Sequence, residues 1–320
     1  MAIESHSRYV NIDDTRLFVV ERGSGYPLIV LHGGPGLDHH EFADYLDPLC
    51  DQFRLILVDL RAQGRSDMCP EGTWTLEQMA KDVVALAQAM GQNTYAVLGH
   101  SYGAFVALQN AVDFPGAAAQ TIVSGGVPSA RFLSVVEKNL AEFEPKSLRE
   151  QVADSWAREA EAQTQEDFAS LMHDQMPFHF GNPLDPRIAE YEERTAETVY
   201  SPAMLQHFAK AEYGGIEVED RLENVTQPVL VCTGRYDRAC TVEAAEAMAK
   251  GLPKAELVIF ENSGHMTFVE ENEKYLQVVR DFLNKHQGSK VNSRSYEDSE
   301  QGMQQSLATP TNIMDKLKES

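Results

Sequence analysis

Short apolar runs alternate with longer amphipathic stretches along most of this chain. Residues 8–12 and 16–21 flank Asp13-Asp14 and predict a β-hairpin. The runs at 27–31 and 54–59 are continuously apolar, a pattern that suits strands buried on both faces of a parallel sheet. Between them, 38–50 is predicted as a helix. Thr75 with Gln78 has the pattern of a capping box. Leu76, Met79, Ala80, Val83, Ala87 and Met90 then recur at helical spacing, and Gly91 marks the end. Residues 94–99 predict a strand, 101–113 a helix and 119–124 a further strand. Beyond Pro128, and up to about Asp220, the chain is charged, helical and poor in strands. Pro177, Pro183, Pro186 and Pro202 are predicted to cut it into pieces. Alternation resumes with a strand at 228–234, a helix at 241–251, a strand at 256–260 and a last helix to about His286.

Alternation of this kind predicts an α/β fold with a mostly parallel sheet covered by helices. Residues 1–127 and 226–286 are expected to form the core, and 128–225 an inserted helical cap. Residues 287–320, rich in Ser, Gln, Glu and Lys, are expected to be a disordered tail without chemistry. No internal repeat is present.

Charge narrows the partners. The net charge is −22, and residues 128–225 hold 20 acidic and 9 basic side chains, about half of the excess. Such a balance disfavours nucleic acid and anionic membranes. It fits solubilising helix faces, or a field that draws in a cationic substrate. No apolar run reaches 18 residues, so no membrane span is expected, and the first residues lack a signal-peptide pattern. Cys50, Cys69, Cys232 and Cys240 have no metal-type spacing, and a reducing cytoplasm is the simplest expectation. The expected partner is a small molecule or short peptide; oligomeric state is left open.

The chemistry gathers at strand ends. Gly99-His100-Ser101-Tyr102-Gly103 lies where an apolar strand becomes a helix. A serine hydroxyl is a weak nucleophile until a base takes its proton. A tight strand-to-helix turn exposes it beside open backbone amides, and glycines at 99 and 103 relieve the crowding. Ser101 is therefore the expected nucleophile. His265, in the loop after the last core strand, is the expected base, and Asp237, after strand 228–233, its orienting acid. The order Ser101, Asp237, His265 is the one this arrangement requires. Strand 119–124 ends in Ser124-Gly125-Gly126 and offers no acid. His100 reads as a filler inside the turn. The amide of Tyr102 and that of Gly34, in His32-Gly33-Gly34-Pro35-Gly36, are the expected oxyanion donors. Neither a phosphate loop nor a dinucleotide loop is present, so no cofactor is expected. His39 and His40 are adjacent and cannot share a helix face, so no metal is expected either.

With these residues in view, the chain resembles the α/β-hydrolase family, and within it the proline iminopeptidase-like group, over about residues 8–286. The carriers are "HGGPG" at 32–36, the loop Asp59 to Asp67, "GHSYG" at 99–103 and "SGHMTFVEE" at 263–271. The resemblance implies an eight-stranded sheet, a helical cap over the site and the roles given above. It also implies acidic groups that hold a free amino terminus, one of them directly after the triad aspartate. Here that place is Arg238, a cation that would favour an anionic or neutral acyl group. "GHSYG" stands where true iminopeptidases carry Gly-Gly-Ser-Trp-Gly, and Ala62 replaces a glycine. Arg238, Gly33, Trp156 and Glu212 are candidate substrate contacts, Glu190, Glu192 and Glu193 candidate cap acids. Phe132, Phe178, Tyr200, Phe208 and Tyr213 are further candidate pocket walls.

Three functions are open on this reading. The first is a serine hydrolase cleaving a small ester, lactone or amide through an acyl-enzyme. The second is a proline iminopeptidase. The third is a ligand receptor on the same scaffold. A triad also serves carbon–carbon bond hydrolases, so it does not fix the bond broken.

Overall fold

The computed structural model describes residues 4–210, 213 and 215–287. The tail from 288 on and Glu212 lie outside the described residues. A hairpin opens the chain: β1 (Ser5–Ile12) pairs antiparallel with β2 (Thr15–Gly23). β3 (Tyr26–Leu31), β4 (Phe53–Val58), β5 (Ala96–His100), β6 (Gln120–Ser124), β7 (Val229–Gly234) and β8 (Ala255–Phe260) are parallel to one another. The eight-stranded sheet has the order β1-β2-β4-β3-β5-β6-β7-β8.

The continuous apolar runs become strands because both sheet faces are covered. Ile29 and Leu31 join one core cluster, Leu28 and Val30 the other, and all four are fully buried. This is the two-residue period of a strand with a helix layer on each side. One layer holds α1 (Leu76–Ala89) and α2 (Tyr102–Asp113), which pack Met79, Val83, Phe105 and Leu108. Thr75 caps α1 by accepting from the Gln78 N–H, but the Gln78 side chain turns to Asp82, so the capping box is only half made. Residues 38–50 do not form the expected helix. They make two 3₁₀ turns, His39–Phe42 and Asp47–Asp51, that pack Phe42 and Leu49 on the opposite face. Ala43 interrupts them at φ 42°, and Pro48 has no N–H to continue a helix. Ala62, in place of a glycine, takes a left-handed φ of 58° in the loop after β4.

Between β6 and β7 the described residues form the α-helices α3 (Val135–Ala141), α4 (Lys146–Ala157), α5 (Gln165–His179), α6 (Arg187–Arg194) and α7 (Pro202–Ala209). Pro186 and Pro202 stand at helix starts, as expected, whereas Pro177 is absorbed into the last turn of α5. A single antiparallel bridge, Ser129 to Glu217, ties the two ends of this insertion. After β7 come α8 (Val242–Gly251), the one-turn α9 (Thr267–Glu270) and α10 (Asn272–His286). No helix among the described residues is long and apolar enough to cross a membrane.

Strand order decides where a site can form. The chain leaves β3 for β4 on one side, then crosses to β5 on the other. Loops after β3 and β5 therefore diverge at their carboxyl ends, and such a switch point leaves a crevice.

Candidate active site

Ser101 occupies the turn between β5 and α2 with φ 53° and ψ −119°, a left-handed conformation that a non-glycine residue holds only when its surroundings enforce it. Contact explains the flanking glycines. A Cβ at Gly99 would lie 2.0 Å from the Gly103 carbonyl oxygen, and one at Gly103 would lie 2.3 Å from that of Leu31. The Ser101 N–H donates to the Ser124 carbonyl at 2.9 Å, which pins the turn to β6.

His265 and Asp237 come together as the sequence predicts. His265 Nδ1 lies 2.7 Å from Asp237 Oδ2, with both residues buried. Asp237 Oδ1 accepts from the N–H groups of Ala239 (2.9 Å) and Cys240 (2.8 Å), so one carboxylate both closes its turn and holds the imidazole. Burial opposes the charge of each partner. For Asp237 the nearby histidine and the two N–H donors outweigh burial and hold its carboxyl below the usual range. For His265, burial acts downward, but the charge of Asp237 and its hydrogen bond leave the imidazole above its ordinary value.

Ser101 and His265 line one cavity of about 180 Å³. The Ser101 hydroxyl makes no hydrogen bond to His265 or to any other described residue; such contacts are commonly long until substrate closes them. Among the described residues no acceptor meets the N–H groups of Gly34 or Tyr102. Gly33 differs: its N–H donates to Glu41 Oε2 at 2.5 Å, and a Cβ there would lie 3.1 Å from the Ser101 Cβ. Gly33 thus packs on the serine without lining the cavity. Glu41 Oε1 lies 2.9 Å from His100 Nδ1, and His100 Nε2 lies 3.2 Å from the His265 carbonyl. His100, read as a filler, is a strut between the loop after β3 and the loop that carries His265.

The remaining walls come largely from the insertion. They are mostly apolar, with Phe168, Leu171, Met172 and Leu205 beside Trp156. Sequence reasoning missed the polar groups among them. Glu159 is a buried carboxylate that accepts from Gln175 Nε2 (2.7 Å) and from the Tyr213 hydroxyl. Burial pushes its carboxyl above the ordinary range despite those two bonds. No lysine or arginine lines the cavity among the described residues. His179 stands beside His265, ring centroids 5.2 Å apart, and burial drives it down to about 3, so it is neutral. Nothing in the sequence marks Glu159: it is one acid among many on charged helices, and it is buried only because the turn after α4 packs against α7 and beneath Gln175 of α5 and Tyr213.

Arg238 requires a correction. It does not line this cavity. Its guanidinium donates to the carbonyls of Phe178 (3.1 Å), Phe180 (2.7 Å) and Gly181 (3.2 Å), and it lies 5.2 Å from the Phe143 ring centre. Its donors are engaged by backbone, so it is not the expected substrate contact. Glu190 pairs with Arg194 and Glu192 with His173 (2.8 Å); neither they nor Glu193 line the cavity. Asp38, His39 and His40 bring donor atoms within 4.8 Å of one another. They already hold other partners: His39 Nδ1 meets Asp59 at 2.6 Å, and Asp38 accepts from Arg65 and the Val199 N–H.

Strand order, elbow and buried acid–imidazole pair together define the class: an enzyme of the hydrolase type. The sequence profile of the alpha/beta hydrolase fold matches residues 26–272. A proline iminopeptidase of Lactobacillus delbrueckii subsp. bulgaricus is 31% identical over 275 residues, covering 80% of this chain and 89% of that protein. The crystal structure of proline iminopeptidase from Mycobacterium smegmatis superposes with a TM-score of 0.69 at 25% identity, covering 88% of this chain and 98% of that one. An alpha/beta fold family hydrolase from Bacillus anthracis str. Sterne superposes with a TM-score of 0.74 at 23% identity, covering 88% and 100%. The chain belongs to the α/β-hydrolase fold family, in its proline iminopeptidase-like group.

Proposed function

We propose that the chain is a serine hydrolase working through an acyl-enzyme, with residues 128–225 as a cap over a core of 1–127 and 226–286. Ser101 Oγ attacks the substrate carbonyl carbon while its proton passes to His265 Nε2. The carbonyl electrons move to oxygen, and the amides of Gly34 and Tyr102 receive the charge. Each such donor is worth about 2.7–4 kcal/mol in the transition state. The tetrahedral species collapses, His265 gives its proton to the leaving oxygen or nitrogen, and water then releases the acyl group by the same steps. Asp237 fixes the imidazole tautomer and faces the charge that forms on it. The observation that carries this reading is the 2.7 Å contact of His265 with Asp237 beside a cavity that Ser101 also lines.

Glu159 favours a substrate with a free amino group. A buried carboxylate in a cavity without lysine or arginine is left without a cation until an ammonium arrives. The cavity lies below the roughly 300–1,000 Å³ that drug-sized ligands fill, which fits a single small residue such as proline. We therefore read the chain as an aminopeptidase for short peptides. A fluorophosphonate probe tests the nucleophile. Labelling of the chain that disappears in Ser101→Ala, with a loss of about 10⁴-fold or more in turnover, supports the reading; labelling unchanged in Ser101→Ala overturns it. No labelling of the unaltered chain favours a ligand receptor.

A further inference from the structure

The last turn of α5 runs into a four-residue segment, 178–181, that is bonded to both sides of the acid–base pair. On the acid side, Arg238 follows Asp237 directly and donates to the carbonyls of Phe178, Phe180 and Gly181. On the base side, the His265 N–H donates to the His179 carbonyl at 2.7 Å. Glu270 spans the junction: Oε1 accepts from the Gly181 N–H at 2.8 Å, and Oε2 from the Gly264 N–H at 2.7 Å, one residue before His265. Gly181 and Gly264 touch through their backbones; a Cβ at Gly264 would lie 2.5 Å from the Gly181 nitrogen. The same segment delivers the His179 ring to the face of His265.

We propose that Arg238 and Glu270 are positioning residues, latching segment 178–181 to the loops of Asp237 and His265 so that the insertion holds acid and base in contact. The proposal rests on the triad reading above. Asp237 and His265 sit on separate loops, after β7 and β8; their side chains share a single hydrogen bond, and the loops also meet through the Tyr236 N–H on the Ser263 carbonyl (2.9 Å) and the Arg235–Glu261 ion pair (2.7 Å). The latch adds five bonds between those loops and one shared segment, and a sixth, from the Gly264 N–H to Glu270, braces the His265 loop itself. A cation in place of an acid after the aspartate is then accounted for: three converging carbonyls call for a fork of N–H donors, which a carboxylate lacks.

The test uses 4-nitrophenyl acetate, whose two-carbon acyl group carries no amine. In Arg238→Ala, kcat/KM falls by up to about 100-fold, the scale of a displaced catalytic group, with KM unchanged. The acid limb of its pH profile moves to lower pH as His265 loses the charge of Asp237. Arg238→Lys recovers part of the loss, since an ammonium reaches fewer of the three carbonyls. Glu270→Gln, keeping one acceptor of two, shows a smaller loss in kcat; its acid limb also moves because the Glu270 charge itself holds His265 up, so kcat is the readout for this variant. If Arg238→Ala does not fold, Arg238→Lys carries the same readouts and Glu270→Gln the kcat readout. An unchanged kcat and pH profile overturns the latch, however far the melting temperature falls. So does a loss seen only in KM for longer substrates, which would make Arg238 a substrate contact. Probe labelling in Ser101→Ala would instead sink the triad reading itself, whatever the Arg238 variants do.

Discussion

Replacing Glu159 by glutamine separates stability from substrate choice. The side chain keeps its shape. An oxygen still accepts from the Tyr213 hydroxyl, and the new amide N–H donates to Gln175 once that side chain turns its own amide over to present oxygen in place of the N–H it gave the carboxylate. What disappears is a buried negative charge whose protonation burial already favours. Leaving a buried charge without its partner costs about 2–5 kcal/mol. The lower part of that range applies because the cavity admits solvent, so an ammonium substrate should lose about 2–3 kcal/mol, or roughly 30- to 160-fold in kcat/KM. The assay compares prolyl-2-naphthylamide with cyclopentanecarbonyl-2-naphthylamide, in which carbon replaces the ring nitrogen. Glu159→Gln should lose activity on the first alone, and its melting temperature should hold or rise. Equal losses on both amides, or none on the prolyl substrate, refute the assignment of Glu159 to the amine.

Further expectations concern the base and the elbow. A base must be neutral to accept a proton, so with 4-nitrophenyl acetate, which carries no amine, kcat/KM should be constant above the His265 value and fall as pH drops through it. Asp237 holds that value up, which places the midpoint above about 6.5; a pH–rate profile with its acid limb at or below 6.5 contradicts the contact. Gly103→Ala places a methyl against the Leu31 carbonyl. It should cost about 3 kcal/mol, the upper end for overpacking, because backbone cannot step aside; urea unfolding measures it, and wild-type stability would refute the crowding argument.

The parts that were legible from sequence are those with local causes. Continuous apolar runs become central strands because nothing else buries both faces, and Thr75 starts α1 through a bond to its own neighbour. That Ser101, Asp237 and His265 approach one another was legible because the loops at the carboxyl ends of parallel strands gather at one edge of the sheet. Glu159 was not, since burial of one acid among 20 in the insertion depends on how the turn after α4 packs against α5, α7 and Tyr213. Arg238 was misjudged for a related reason. Its number of donors is written in the sequence, but the three carbonyls that take them lie nearly 60 residues earlier. The choice of Gly34 over Gly33 as donor also depends on tertiary structure: Glu41 takes one amide and leaves the other.

β6 explains why Asp237 stands after β7. Ser101 follows β5, Asp237 follows β7 and His265 follows β8, so His265 must reach across the end of β6 to approach Ser101. Parallel pairing of Gly234 with Phe260 brings the loops of acid and base out side by side. β6 is held at the same level from both sides, by the Ser101 N–H on Ser124 and by the Gly125 N–H on Cys232. A side chain at 125 would then meet the imidazole: a Cβ there lies 3.0 Å from His265 Cε1 and 3.7 Å from Asp237 Oδ2. An acid at that point would occupy the space the ring needs. Gly125 is thus the counterpart of Asp237 on the next strand, and the lack of an acid at that position follows from the route the imidazole takes.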